Sequence, residues 1–173
     1  QKKQNLEKPN CRVITAASTH ESEEELILNA YKKKFGKLII VPRHPERFSK
    51  DDELIKNFIK DKELTYHKYS ESEDFSSDII LVDKMGILND IYSITDITIL
   101  GGAFAKIGGH NPIEPAFFEN VIISGKNIFN HTINHFIFQW VLTDYNNPLR
   151  NRYYYRLAGI YSGWRFAGNT GEV

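Results

Sequence analysis

A chain of 173 residues is long enough to close one hydrophobic core around a central sheet without disulfides or metal. Lysine plus arginine equals aspartate plus glutamate, 22 of each, so no excess charge draws the chain to nucleic acid or an anionic membrane, and any phosphate it binds must be held locally. The single cysteine, Cys11, excludes an internal disulfide and, lying in the apolar run Cys11–Ala17, is expected as a buried thiol of a reducing compartment. No apolar run approaches the roughly 20 residues needed to cross a bilayer, and Gln1-Lys2-Lys3-Gln4 is too polar for a signal peptide. A cytoplasmic protein is expected, and the absence of an initiator methionine suggests a fragment.

Cys11–Ala17 reads as a buried strand, and Ser18-Thr19-His20-Glu21 has the capping-box spacing Ser-x-x-Glu, so a helix is expected to begin there. Glu21, Glu23, Glu24 and Glu25 fall in its first turns and Lys32, Lys33 and Lys34 in its last, the order the macrodipole favours, with Gly36 as a stop. Lys37–Val41 is a second strand. Two prolines then hold Pro42-Arg43-His44-Pro45 in a short exposed turn. A helix starts near Ser49 with Leu54, Ile55, Phe58 and Ile59 on its buried face, and Leu64–Tyr69 reads as a short strand.

After a polar stretch, Asp78–Asp83 is a strand, Ile87–Thr95 a helix and Ile97–Leu100 another strand. The loop Gly101–His110 carries two glycine pairs, Asn111-Pro112-Ile113-Glu114-Pro115 opens a helix, and Val121–Ser124 gives a further strand. Strands alternating with helices imply a Rossmann-like, doubly wound parallel α/β sheet covered on both faces. From Asp144 onward the pattern breaks. Residues 1–143 are therefore read as the α/β domain and 144–173 as an unassigned tail, with Ser162–Val173 having the composition of a loop.

In a doubly wound sheet the loops after the strands meet at one rim, where ligands bind. Ser18, Thr19, Gly101, Gly102, Gly108, Gly109 and His110 are possible contributors there. The glycine loop permits close backbone approach and the following helix offers N–H groups to an anion. Arg43 adds a fixed charge with a fork of donors suited to phosphate. Glu114 would repel phosphate but suits ribose hydroxyls, and together these features describe a nucleotide site. Blander readings stand beside them. Asn111, Pro112 and Glu114 also fit an N-cap, N1 proline and N3 glutamate, an assignment Pro115 weakens by removing a donor. Arg43 alone suits a solvated surface, and glycine pairs alone mark turns. His20, His44 and His110 sit on three candidate loops but lack the carboxylate or cysteine spacing of a zinc site, so no metal is expected. Neither G-x-G-x-x-G after the first strand nor a P-loop is present, which disfavours NAD and ATPase readings.

The series Ala17-Ser18-Thr19-His20-Glu21, Val41-Pro42-Arg43-His44-Pro45-Glu46-Arg47-Phe48, Leu81-Val82-Asp83-Lys84-Met85-Gly86 and Gly101-Gly102 to Gly108-Gly109-His110-Asn111-Pro112-Ile113-Glu114-Pro115 resembles the bacterial 3-deoxy-D-manno-octulosonic acid (Kdo) transferase family in order, spacing and content. The likeness runs from about Val13 to Ser124. It implies the C-terminal, donor-binding half of a GT-B glycosyltransferase, with CMP-Kdo as donor and lipid A precursor as acceptor. Pro42, Arg43, Met85, Gly86, Ile87, Asn111, Pro112, Ile113 and Glu114 would then contact CMP, Arg43 at the phosphate and Glu114 at the ribose. The family's general base, a glutamate, and its membrane-associating part belong to an N-terminal domain. No catalytic residue is therefore expected in this chain, which would be inactive alone and soluble, whereas the whole enzyme would work at the cytoplasmic face of the inner membrane.

Two departures from the family pattern stand out. Lys84 and Ile87 replace threonine and glutamate in V-D-T-x-G-E-L, which leaves backbone contacts at position 87. Ser22 replaces a glycine, a change a helix start is expected to tolerate. Alternatives are another GT-B enzyme using a UDP-sugar, a related epimerase, or a non-catalytic α/β nucleotide-binding or interaction module.

Overall fold

The computed structural model describes residues 6–105 and 107–126 and two strands further along, Tyr153–Tyr155 and Arg165–Gly168. Two compact units divide the chain, Gln1–Asn130 and His131–Val173. In the first, the order is β1 (Val13–Thr19), α1 (Glu23–Ala30), β2 (Lys37–Pro42), α2 (Phe48–Ile59), β3 (Tyr66–Lys68), α3 (Tyr69–Ser72), β4 (Ile79–Leu81), α4 (Leu88–Ile94), β5 (Ile97–Leu100), α5 (Ile113–Phe117) and β6 (Val121–Ser124). The six strands form one sheet in the order β3-β4-β2-β1-β5-β6, every pairing parallel.

The sheet buries both faces because its central strands are apolar without alternation. Leu38 and Ile40 of β2 join Ile27 and Leu28 of α1 and Ile55 of α2 on one side. Ile39 and Val41 point the other way, toward Tyr69 of α3 and Ile91 and Ile94 of α4. Ile39, Ile40, Ile79, Ile80 and Leu81 are fully buried, each stabilising the fold by roughly 1.5–3 kcal/mol relative to exposure. Buried polar groups are matched as well. Asn120 accepts from Thr98 Oγ1 and donates to the carbonyls of Tyr92, Thr95 and Phe118, tying α4 and β5 to the entrance of β6.

Several expectations from sequence are corrected. Cys11 is exposed, because the strand starts two residues later, at Val13. The Ser18-x-x-Glu21 capping box does not form: β1 runs on to Thr19, which pairs with Pro42 across a bulge, and Ser18 is the extra residue, at φ 53°. The reciprocal contact is shifted by two, with the His20 N–H donating to Glu23 Oε2 and the Glu23 N–H to the His20 carbonyl. Ser22 adopts φ 74°, ψ −17°, a left-handed conformation that costs a non-glycine residue about 1 kcal/mol, so a serine where the resemblance implies glycine is not neutral.

Helix α1 stops at Ala30, which leaves Lys32, Lys33 and Lys34 outside it, the latter two in a 3-10 turn, Lys33–Phe35. Gly36 serves packing more than termination. At φ 111°, a Cβ there would lie 2.1 Å from the Arg12 carbonyl oxygen. The expected strand Leu64–Tyr69 is shorter, since Tyr69 opens α3.

In the second unit, Tyr153–Tyr155 (β7) and Arg165–Gly168 (β8) pair antiparallel. The tail therefore contains regular structure that its glycine and polar content conceals, the run of tyrosines in β7 being of high strand propensity. The expected domain boundary at residue 143 lies outside the described residues.

Candidate functional site

The chain leaves β1 toward β2 on one side of the sheet and returns beside β1 with β5 on the other, so β1 and β5 flank the switch point of strand order. At the carboxyl ends of these strands three of the four loops singled out by sequence come together, those after β1, β2 and β5, while the loop after β4 lies beyond β2 on the same edge of the sheet. The Arg43 N–H donates to the Thr19 carbonyl at 3.0 Å, and the Gly101 N–H donates to the Ala17 carbonyl at 2.9 Å. Thr19 is fully buried and its hydroxyl has no hydrogen-bond partner.

Glu23 organises this end of the sheet. Its carboxylate is 1% exposed, yet it has no cationic partner within ion-pair distance among the described residues. It is instead enclosed by backbone donors: Oε2 accepts from Gly102 at 2.8 Å and His20 at 3.0 Å, and Oε1 accepts from Phe104 at 3.0 Å and Ala105 at 3.1 Å. These bonds bridge about 80 residues of chain and fix the loop after β5 to the start of α1. Three amides of the loop expected from sequence to approach a ligand are thus occupied by the protein itself.

The glycines divide by role. A Cβ on Gly101 would lie 2.3 Å from the Ser18 carbonyl oxygen, and one on Gly102, at φ 75°, 2.6 Å from that of Gly108. Both are required by the loop's packing on its own chain. Gly108, at φ 95°, faces open space, and Gly109 beside it is half-buried.

Three histidines from three loops gather on the same rim. Nε2 of His20 and Nε2 of His110 are 2.8 Å apart with their rings 7° from parallel. His44 meets the His20 ring edge-on, with centroids 5.7 Å apart. Burial pushes both His20 and His110 below the ordinary histidine value. For His20 the nearby Glu23 opposes this, while His44 and Arg43 add to it; for His110 the neighbouring His20 and Arg43 depress it further. Arg43 itself is exposed, as is His44. Among the described residues no group of three or more histidine, cysteine, aspartate or glutamate side chains is placed to hold a metal ion.

The remaining sequence candidates belong to the end of β2, the loop after β4 and the segment that opens α5. Pro42 is buried as the last residue of β2. After β4, Met85 is 55% exposed, Gly86 turns at φ 84°, and the Ile87 side chain is buried in the core, so only backbone is available at position 87. Asp83 anchors this loop by accepting from the Ser70 amide and hydroxyl at 2.9 and 2.6 Å, and Lys84 pairs with Glu73 at 2.7 Å.

Asn111, Ile113 and Glu114 are exposed and Pro112 half-buried. The Asn111 side chain accepts from the Ile113 N–H at 3.0 Å, but Asn111 is not the N-cap weighed from sequence: Pro112 holds that position, which makes Glu114 the second helical residue and not the third. Pro115 does not oppose the helix, because the first helical donor is Ala116, bonded to the Pro112 carbonyl. With Pro112 and Pro115 lacking an N–H and Ile113 engaged, the five-residue α5 does not present the row of free donors expected from sequence. Glu114 lies by α4, where it adds to the burial that raises the Tyr92 phenol above its ordinary value.

One further cluster escaped the sequence reading. Arg47 Nη2 donates to Glu24 Oε2 and to Asp51 Oδ1, both at 2.9 Å, with the two carboxylates each 1% exposed. Arg47 thereby ties the turn that carries Arg43 to α1 and α2. The i, i+4 spacing of Arg47 and Asp51 is visible in sequence, but nothing local marks either as buried.

No family model matches the sequence. Among curated proteins, the chain is 48% identical over 120 residues to a bifunctional glycosyltransferase/methyltransferase of Fusobacterium nucleatum, a stretch covering 66% of this chain and 18% of that protein. It is 39% identical over 122 residues to the 3-deoxy-D-manno-octulosonic acid transferase of Haemophilus influenzae, covering 66% and 28%. To that of Aquifex aeolicus it is 38% identical over 126 residues, covering 70% and 33%. The matched stretch thus spans a third or less of each of these relatives. Among solved structures, the C-terminal CMP-Kdo binding domain of WaaA from Acinetobacter baumannii superposes with a TM-score of 0.59 at 34% identity, covering 71% of this chain and 66% of that one.

Proposed function

The chain belongs to the 3-deoxy-D-manno-octulosonic acid transferase family, as its C-terminal domain, and on that basis we propose that it binds CMP-Kdo for transfer of Kdo to a lipid A precursor in lipopolysaccharide synthesis. The observation that carries this reading is the likeness to a CMP-Kdo binding domain at 34% identity over a fold whose switch point gathers Arg43, His20, His44 and His110.

In this reading Arg43 binds the phosphate, the backbone of Met85, Gly86 and Ile87 and the segment from Asn111 to Glu114 contact the nucleoside, and Glu114 accepts hydrogen bonds from the ribose. Transfer breaks the bond between the anomeric carbon of Kdo and a phosphate oxygen, and CMP departs with the charge. A guanidinium already in place stabilises that charge without reorganisation, so the step requires no metal. The whole enzyme is a GT-B glycosyltransferase in which a companion N-terminal domain supplies the general base, the acceptor site and association with the cytoplasmic face of the inner membrane. This chain alone is then a binding domain without transferase activity. Among the described residues no helix is long and apolar enough to cross a membrane.

Calorimetric titration tests the reading. CMP is expected to bind and UMP to bind at least tenfold more weakly. Arg43→Ala and Glu114→Ala should each cost CMP about 10- to 100-fold, the worth of one charged hydrogen bond. Equal binding of the two nucleotides, or indifference to both variants, would contradict it.

A further inference from the structure

The contact between His20 and His110 restricts how the pair can hold protons. With Nε2 facing Nε2 at 2.8 Å, one ring must donate and the other accept, so at least one stays neutral. The neutral pair can gain one proton, on the outer nitrogen of the donating ring, and this strengthens the shared bond by making it charge-assisted. A second proton would set two N–H groups against each other and break the contact.

The groups that act on the pair are known on each side. From α1 come Glu23 and Glu24, and from the turn after β2 come Arg43 and His44. Glu23 is saturated by backbone donors, and Glu24 is paired with Arg47. The charge of both carboxylates still favours protonation, but partial burial is the larger influence and, with the positive field of Arg43 and His44, favours the neutral pair in the free protein. An anion seated on Arg43 cancels that field and adds a negative charge beside the rings.

We infer that His20 and His110 act as one proton-sharing unit that is neutral in the free protein and takes up a single proton when the anionic group of the ligand binds. The inference rests on the proposed nucleotide site and adds a specificity device to it, because charge on the ligand, and not the nucleoside, drives the uptake.

The test is titration of the 173-residue chain with CMP at pH 7.5 in buffers of different ionisation enthalpy, where the phosphate is already largely dianionic. The wild type should take up about 0.5–1 proton per CMP, so that its Kd weakens by up to tenfold per pH unit above neutrality. Cytidine, which lacks the anion, should bind without uptake. His20→Gln and His110→Gln should each abolish the uptake while CMP still binds. In the ligand-free wild type, the Cε1–H resonances of the two rings should move together in one step below pH 6.5. Uptake that persists in both variants, or two rings that titrate independently, would overturn the inference. CMP binding with no proton uptake would overturn it alone, whereas no binding of CMP would overturn the nucleotide reading with it.

Discussion

Glu23→Ala should lower the unfolding free energy by on the order of 4 kcal/mol and abolish nucleotide binding, although Glu23 is enclosed by the protein and is not among the residues assigned to the nucleotide. Its carboxylate satisfies the amides of His20, Gly102, Phe104 and Ala105. Each hydrogen bond to a charged acceptor contributes about 1.5–3 kcal/mol, and stranded donors add their own desolvation cost. The four are not additive, since a loosened loop recovers some bonds from water. Even so, the expected loss is a large part of the roughly 5–15 kcal/mol that holds a domain together. Glu23→Gln should cost less but not little, because the amide retains one acceptor and turns a donor toward donors. Denaturant unfolding measures the loss, and amide exchange locates it, with protection vanishing first at Gly102, Phe104 and Ala105. A loss under about 1 kcal/mol would mean that the loop after β5 is held by other contacts.

Arg47→Ala should be of similar size for a different reason. Glu24 and Asp51 are both 1% exposed and both depend on this one guanidinium. Removing it leaves two buried carboxylates facing each other, at a cost of about 3–5 kcal/mol near neutral pH. The cluster is short of positive charge even in the wild type. Burial, then the neighbouring Glu24, pushes Asp51 up from 3.8 to about 6 against the pull of Arg47. The folded chain therefore holds more protons at Asp51 than the unfolded chain between about pH 4 and 6. The stability contributed by this group is present below pH 4 and declines as pH rises through 6, by on the order of 2–3 kcal/mol.

Asp51→Asn isolates the effect, because the amide oxygen still accepts from Arg47 and all other titrations cancel in the difference. The variant should gain stability relative to wild type as pH rises from 4 to 7. A flat difference would show that Asp51 is ionised throughout. The Arg47→Ala loss should likewise shrink toward pH 5, as the buried Asp51 takes up its proton.

Much of the fold is legible because local signals and burial agree. The apolar runs at Lys37–Val41 and Asp78–Asp83 have too many consecutive buried residues for a one-sided strand, and both form interior strands paired on each side. Helix α2 follows its apolar spacing. The gathering of Ser18, Arg43, Gly101 and His110 also follows from topology, since each loop succeeds a parallel strand.

What sequence reading misses is decided by tertiary partners. Ser18-x-x-Glu21 has the spacing of a capping box, but Thr19 pairs with Pro42 and keeps Ser18 in the strand end. A glutamate accepting from the amide three residues before it does occur, but two residues later and at the first position of α1, where Glu23 serves both His20 and a loop about 80 residues away. The glycines at 101 and 102 look like room for a ligand, yet they make room for the protein's own backbone. Position 22 is legible only once φ is known.

Amide chemical-shift mapping of the labelled chain with CMP tests the central claim most directly, that the switch-point rim is a nucleotide site. The account predicts that shifts concentrate in residues 18–23, 42–44, 83–87 and 101–114, and leave the opposite end of the sheet, around Arg12 and Asp96, unmoved. Saturable shifts clustered at that opposite end, or none at any concentration up to several millimolar, would contradict it.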